Sequence, residues 1–203
     1  MAVAHHLGLN LGAPRTCRCG MLVDVQGQHG LVCKQAPSRI ARQQQLNDMV
    51  ARALVSAGVP ATKDPFGISR RDGKCPDGMT QIPWRVGKLL IWDVTVVSTL
   101  AQSYVAAAAG GRGEVAELAA ARKWEKYTEL SMEYTFLPIT METLGPMNES
   151  AYRFFEDLGR RICDVTGDTH KVSFIFQRLS VTIQRFIAAL YHETFVLLDD
   201  SDL

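Results

Sequence analysis

The run Leu89 to Val97, LLIWDVTVV, constrains this chain more than any other stretch. It is short, β-branched and aromatic, and the Arg85-Val86-Gly87-Lys88 turn signal precedes it, so it reads as a buried strand. Asp93 lies in the middle of it. A carboxylate inside an apolar strand costs several kcal/mol unless a partner compensates it. The fold must therefore bring a cation to Asp93. A second acid, Asp77, stands just before Gly78 in KCPDG, upstream of the turn. If the two aspartates flank a hairpin, their strands are neighbours and their carboxylates converge. Converging carboxylates repel unless a cation lies between them, and Mg²⁺ is commonly held by one or two carboxylates together with water and phosphate oxygens. Asp77 alone also suits a simple turn before a glycine.

Around this hairpin the pattern alternates between helical and extended segments. A helix is expected from Ser38, with Ser38 as its cap and Ile40, Leu46, Met49, Val50, Ala53 and Leu54 as its apolar face, ending at Gly58 and Pro60. Residues 59–68 suit a short strand or extended loop, Arg70-Arg71-Asp72-Gly73 a turn, and residues 78–84 a strand. After Gly110, Gly111 and Gly113 a helix is expected over 114–132, a strand over 134–140, and helices over 149–163 and 171–195, the last with Ile175, Leu179, Ile183, Phe186 and Leu190 at three- and four-residue spacing. The order α-β-β-β-α-β followed by helices predicts a mixed α/β sheet with helices packed against it. Trp84 and Trp92 read as core, Cys163 as a buried helix residue, and Glu142 as structural or exposed.

Residues 17–33, CRCGMLVDVQGQHGLVC, hold Cys17, Cys19, His29 and Cys33. Three thiolates and one imidazole make a closed tetrahedral zinc set, which leaves no open position and so predicts a structural metal. Five cysteines, an odd number, with three in this cluster fit metal ligation in a reducing compartment better than a disulfide framework. His5 and His6 read as solvated. No run of about 18 apolar residues is present, which predicts no membrane span, and the N-terminus lacks the pattern of a signal peptide. Charge divides unevenly. Residues 1–88 carry 12 Lys and Arg against 5 Asp and Glu, and residues 89–203 carry 10 against 16. A basic first part suits a polyanion partner. Arg39, Arg42 and Arg52 on the first helix are candidate phosphate contacts, although solvated arginines fit the same pattern.

Proline-aspartate, a spacer and an acid in an apolar strand together resemble the PD-(D/E)XK restriction-like nucleases. Their usual lysine, two residues after the second acid, is Thr95 here. This departure is similar to one branch, the restriction-like endonuclease domain of site-specific non-LTR retrotransposons. There the second motif commonly reads Asp-x-Thr, and the lysine lies on the following helix in a lysine-and-tyrosine motif. The matching segment is ARKWEKYTEL, with Lys123, Lys126 and Tyr127 at spacings that suggest one helix face. The same family carries a Cys-Cys-His-Cys knuckle just upstream, where Cys17, Cys19, His29 and Cys33 stand.

The resemblance covers residues 17 to about 145. It implies a restriction-endonuclease-like core and a Mg²⁺- or Mn²⁺-dependent endodeoxyribonuclease. Asp77 and Asp93 would hold the metal, Lys123 or Lys126 would be the catalytic lysine, and Tyr127 would lie by the scissile phosphate. It further implies DNA as partner, a reverse transcriptase region in a longer parent protein, and an intracellular, nuclear site of action. The expected organisation is a lead-in over 1–16, a zinc knuckle over 17–37, a nuclease core over 38–145 and helices packed on it over 146–203. Two rival functions stand beside this: a catalytically inactive nucleic-acid-binding module, and a hydrolase of small phosphate esters.

Overall fold

A computed structural model of the chain describes residues 7–10, 12–68 and 75–194. A two-stranded hairpin opens it, β1 (Arg15–Thr16) and β2 (Leu22–Val23), followed by a short helix, α1 (Gln28–Val32), and a long one, α2 (Ser38–Ser56). Then come β3 (Ala61–Lys63), β4 (Gly78–Thr80) and β5 (Leu90–Val97). Helices α3 (Val105–Ala108) and α4 (Glu114–Tyr127) and a 3-10 turn (Thr128–Met132) lead to β6 (Thr135–Glu142). Two helices end the described chain, α5 (Glu149–Thr166) and α6 (Lys171–Glu193). The expected order is observed. The alanine-rich segment before Gly110 adds α3, which the sequence reading left without an element. The Arg70–Gly73 turn and His5 and His6 lie outside the described residues.

The main sheet runs β3-β4-β5-β6. β4 is antiparallel to both β3 and β5, while β6 is parallel to β5, with Asp93 opposite Pro138. A proline has no N–H to give to a ladder. Pro138 is accommodated because β6 pairs only with β5 among the described strands. The crossover from β5 to β6 carries α3 and α4, as a parallel pair requires.

Side chains alternate between the faces of a strand. On β5, Leu90, Trp92 and Val94 join the main core with residues of α2, α5 and α6. Ile91 packs on the opposite face with Tyr127 of α4 and Phe136 of β6, and Val97 with Val115 and Ala119 of α4. By this period Asp93 belongs to the α4 face. Both faces of the strand are covered, which is why it reads as a continuous apolar run.

Four local expectations are corrected. Ser38 does not cap α2: its N–H and hydroxyl both donate to the Glu193 carboxylate at the end of α6. The partner lies 155 residues away, beyond any local signal. Ile40 is 67% exposed and is not part of the apolar face. On α6, Ile187 rather than Phe186 occupies the buried stripe. Cys163 is half-buried.

Candidate metal and catalytic site

The Cys/His cluster is assembled from two local pieces. The β1–β2 hairpin turns tightly at Gly20, in the left-handed region at φ 83°, and this turn presents Cys17 and Cys19. The Cys17 N–H donates to the Met21 carbonyl at 2.9 Å. Helix α1 carries His29 one turn before Cys33, whose N–H donates to the His29 carbonyl at 2.8 Å. The four ligand atoms lie within 4.8 Å of one another. Cys17 Sγ and Cys33 Sγ are 3.8 Å apart, and Cys19 Sγ and His29 Nε2 are 3.1 Å apart. Tetrahedral zinc with Zn–S bonds of about 2.3 Å places two thiolates about 3.8 Å apart. The group can therefore hold a zinc ion. Burial pushes the Cys33 thiol up, while backbone hydrogen bonding around Met21 draws that of Cys19 down. Cys17, Cys33, Val23 and Leu31 are continuous with the main core, so this small unit is packed onto the rest and not suspended from it.

The second site lies on the sheet. Asp93 is 5% exposed, and its compensating cation is Lys123 of α4, with Nζ 2.6 Å from Oδ1. The Thr95 hydroxyl donates to the same oxygen at 3.3 Å, and the Tyr127 hydroxyl donates to Oδ2 at 2.8 Å. The opening problem of a charge in an apolar strand is thus answered inside the chain. Lys123 and Tyr127 are four residues apart, one above the other on α4. Lys126 is on the exposed side of the helix, so the expectation that all three share one face is corrected. The reason is angular: from Lys123 the chain rotates past Tyr127 in one sense and stops short at Lys126 in the other.

Helix α4 is aimed by its own ends. Its small residues Ala116, Ala119 and Ala120 are buried, so the helix lies close to the sheet. At its N-terminus no residue of the helix provides a side-chain cap. Instead Oε1 of Glu142, at the end of β6, accepts the Val115 and Ala116 N–H groups at 3.1 and 3.2 Å. A carboxylate there satisfies orphan donors and suits the positive end of the helix dipole. Glu142 is therefore structural. At the other end Tyr127 stacks on Phe136, with ring centroids 4.4 Å apart.

Asp77 enters the site from the start of β4. Its Oδ2 accepts the Val94 N–H at 2.6 Å, which ties it to the residue after Asp93. Its carbonyl accepts Asn47 Nδ2 at 2.9 Å, and Asn47 Oδ1 accepts the Trp92 indole N–H at 2.7 Å. Asn47 therefore clamps α2, β4 and β5 together beside both aspartates. Gly78 completes the arrangement: a Cβ there would lie 2.0 Å from the Trp92 ring. The aspartate-glycine pair is thus demanded by packing as well as by turning. Burial, and then repulsion from Asp93, push the Asp77 carboxyl up to about 6, against the pull of the Val94 N–H, Gln43 and Lys123. A cavity of about 430 Å³ opens beside Asp77, between α2 and β3.

No protein-family model and no curated protein matches this chain. The functional reading accordingly rests on the two sites themselves.

The remaining sequence candidates fall into place as follows. Tyr127 is 1% exposed, and its hydroxyl lies 2.8 Å from Asp93 Oδ2 and 3.2 Å from the Cys75 carbonyl oxygen. Cys75 is exposed. Arg39 is half-buried and donates to the Cys33 carbonyl at 3.3 Å, and Arg52 is exposed. Arg42 is buried. Trp84 and Trp92 are core, as read. Sequence reasoning missed Asn47, Gln43 and the partner of Ser38. Each acts across a long sequence separation, and a single polar residue on a helix carries no signal of that. Among the described residues, no helix is long and apolar enough to cross a membrane.

Proposed function

We propose that the chain is a metal-dependent DNA endonuclease of the restriction-like PD-(D/E)XK type, related to the endonuclease domain of site-specific non-LTR retrotransposons. The observation that carries this reading is the meeting of Lys123, from the helix after β5, with Asp93 in the strand. A lysine displaced onto that helix is what the Asp93-Val94-Thr95 departure requires. Asp77 and Asp93 would hold one Mg²⁺ or Mn²⁺. The Asp77 carboxyl, raised first by burial and then by repulsion from Asp93, fits this role, since a bound cation would offset both. Such a metal polarises the scissile phosphate and lowers the pKa of an attacking water.

The chain's own groups have distinct parts. Lys123 pairs with Asp93 in the buried strand, and with a metal bound it would turn toward the phosphate and stabilise the charge that develops there. Tyr127 orients Asp93 from behind and is a positioning residue. Cys17, Cys19, His29 and Cys33 would carry a structural zinc that fixes the N-terminal unit against α6. DNA is the substrate that the basic first part favours. A DNA substrate would imply an intracellular, nuclear site of action, and the family resemblance would imply a reverse transcriptase region in a longer parent protein.

The rival with a specific observation behind it is an inactive nucleic-acid-binding module, because the Asp93–Lys123 pair is satisfied without metal. Nicking of supercoiled plasmid in Mg²⁺ or Mn²⁺ decides between them. The nuclease reading expects nicking that EDTA and Lys123→Met abolish and Lys126→Ala leaves intact. DNA binding without nicking in any divalent metal would favour the binding module.

A further inference from the structure

Arg42 is a buried charged side chain, and two of its guanidinium nitrogens have no partner among the described residues. It is 3% exposed, and its Nε and Nη1 are sealed from solvent with no hydrogen-bond acceptor. Burial, reinforced by repulsion from Arg39, draws its pKa down to about 10, so it still carries its charge at neutral pH. An ionised group in this state is costly unless something arrives to pair with it. The Glu193 carboxylate at the same end of α2 is taken by Ser38.

Arg42 lines a cavity of about 360 Å³ between the end of the Cys/His unit and β5, together with Lys34, Arg39, Gln43 and Val96. Three of these residues are basic, and among the described residues no carboxylate lines the space. Arg39 uses Nη1 on the Cys33 carbonyl and offers its remaining donors. A guanidinium has five donors in a planar fork that matches phosphate oxygens. The position is also informative. Ile40 and Gln43 line both this cavity and the one beside Asp77, so a single layer of side chains separates the two.

We infer that the Arg42 cavity is an anion subsite that receives a backbone phosphate of the bound DNA, away from the phosphodiester that is cut. This rests on the reading of DNA as the substrate. The phosphate oxygens would pair with the guanidinium where it lines the cavity, with Lys34 and Arg39 at the rim. The contact would fix the strand between the Cys/His unit and the paired aspartates.

The test is fluorescence anisotropy with a labelled duplex oligonucleotide, in Ca²⁺ to prevent turnover, between about 50 and 200 mM salt. It uses the zinc-loaded protein, Arg42→Gln and Arg39→Gln, with urea denaturation alongside. Loss of one phosphate contact should weaken binding by about tenfold at the low-salt end and reduce the log–log salt slope by about 0.9. Arg42→Gln should unfold at the same or a higher urea concentration than the parent, because it removes a buried charge. An unchanged slope in a folded Arg42→Gln would overturn the inference. So would an Arg42→Gln that fails to fold while Arg39→Gln, on the same cavity, binds with the parent's slope. Cleavage is a separate readout. A reduced slope with no nicking by any protein keeps the subsite and removes the nuclease, whereas normal nicking with an unchanged slope removes the subsite alone.

Discussion

The Cys/His cluster and the paired aspartates both collect electron-rich donors, but they differ in how that charge is balanced. Cys17, Cys19, His29 and Cys33 come from 17 consecutive residues and converge on one point, and among the described residues no cationic side chain is bonded to their ligand atoms. Asp77 and Asp93 come from two strands, and one of them is already paired with Lys123 from a third element. The first group can hold a zinc ion at the point where its ligand atoms converge. The second holds its geometry through protein contacts, through Asn47, Val94, Tyr127 and Lys123, and leaves its carboxylates partly uncompensated. The proposed structural zinc and the proposed catalytic metal would differ in this way, since a catalytic metal must keep positions open for water and substrate.

Breaking the first site should give the largest effect. Structural zinc in small domains contributes about 10–16 kcal/mol of binding energy. Stripping it, or Cys33→Ser, should abolish amide protection over residues 17–33 while the β5 amides stay protected. Hydrogen exchange followed by mass spectrometry reads both regions at once. Equal loss of protection across β5 would show instead that the two regions fold as one cooperative unit.

Lys123→Met sharpens the contrast. It leaves Asp93 buried with no cation, which costs about 3–5 kcal/mol when a single member of a buried pair is removed. Mg²⁺ should return much of that stability, because metal then replaces the lysine. Activity should fall by about 10²–10³-fold even with metal present. Lys126→Ala should change neither quantity appreciably. Urea melts with and without Mg²⁺ test the first statement, and single-turnover cleavage the second.

Gly78→Ala tests whether the aspartate-glycine pair is a packing requirement. With a Cβ 2.0 Å from Trp92, the ring must shift, and overpacking of this kind costs about 1–3 kcal/mol. Trp92 fluorescence should move with it. If the Asn47–Trp92 hydrogen bond is lost as well, Asp77 loses its clamp and cleavage should weaken together with stability.

The smallest effect concerns pH. The folded-state carboxyl of Asp77 is raised to about 6 from an ordinary value of 3.8. The folded chain therefore binds more protons than the unfolded one between those values, and metal-free stability falls as pH rises from about 4 through 6. The contribution is about 1–2 kcal/mol, taking into account the partial exposure of Asp77. Asp77→Asn should flatten that part of the profile and raise metal-free stability at neutral pH, while removing activity. Added Mg²⁺ should oppose the same decline in the parent, through its preference for the ionised carboxylate.

How far the sequence reaches follows the same division. The Cys/His cluster was readable because its ligands are close in the chain and its chemistry is narrow. Asp93 was readable as a problem, since a charge in LLIWDVTVV demands an explanation, but the expected cation was a divalent metal, and Lys123 or Lys126 entered only as the catalytic lysine that the resemblance implies. The choice depends on how α4 lies against the sheet, which is set by Glu142 at one end and Phe136 at the other. Asn47 was silent: a polar residue on a helix face looks like any solvated one until β4 and Trp92 are placed beside it. Arg42 was read as a surface phosphate contact, yet the structure buries it, because the Cys/His unit and β5 close over the start of α2. The α-β-β-β-α-β sequence of elements was legible in outline because turns and periodicity are local, whereas the strand order of the sheet was not, and the parallel pairing of β5 with β6 rests on contacts more than 40 residues apart.

The most direct test of the paired-aspartate site is binding of Mn²⁺ by the zinc-loaded protein, followed through the electron paramagnetic resonance signal of the free ion. The account predicts one Mn²⁺ per chain in the parent, a much weakened site in Asp93→Asn and in Asp77→Asn, and retained binding in Lys126→Ala, with zinc content unchanged throughout. Mn²⁺ binding that is equal in the parent and both aspartate variants, or absent from all of them, would contradict it.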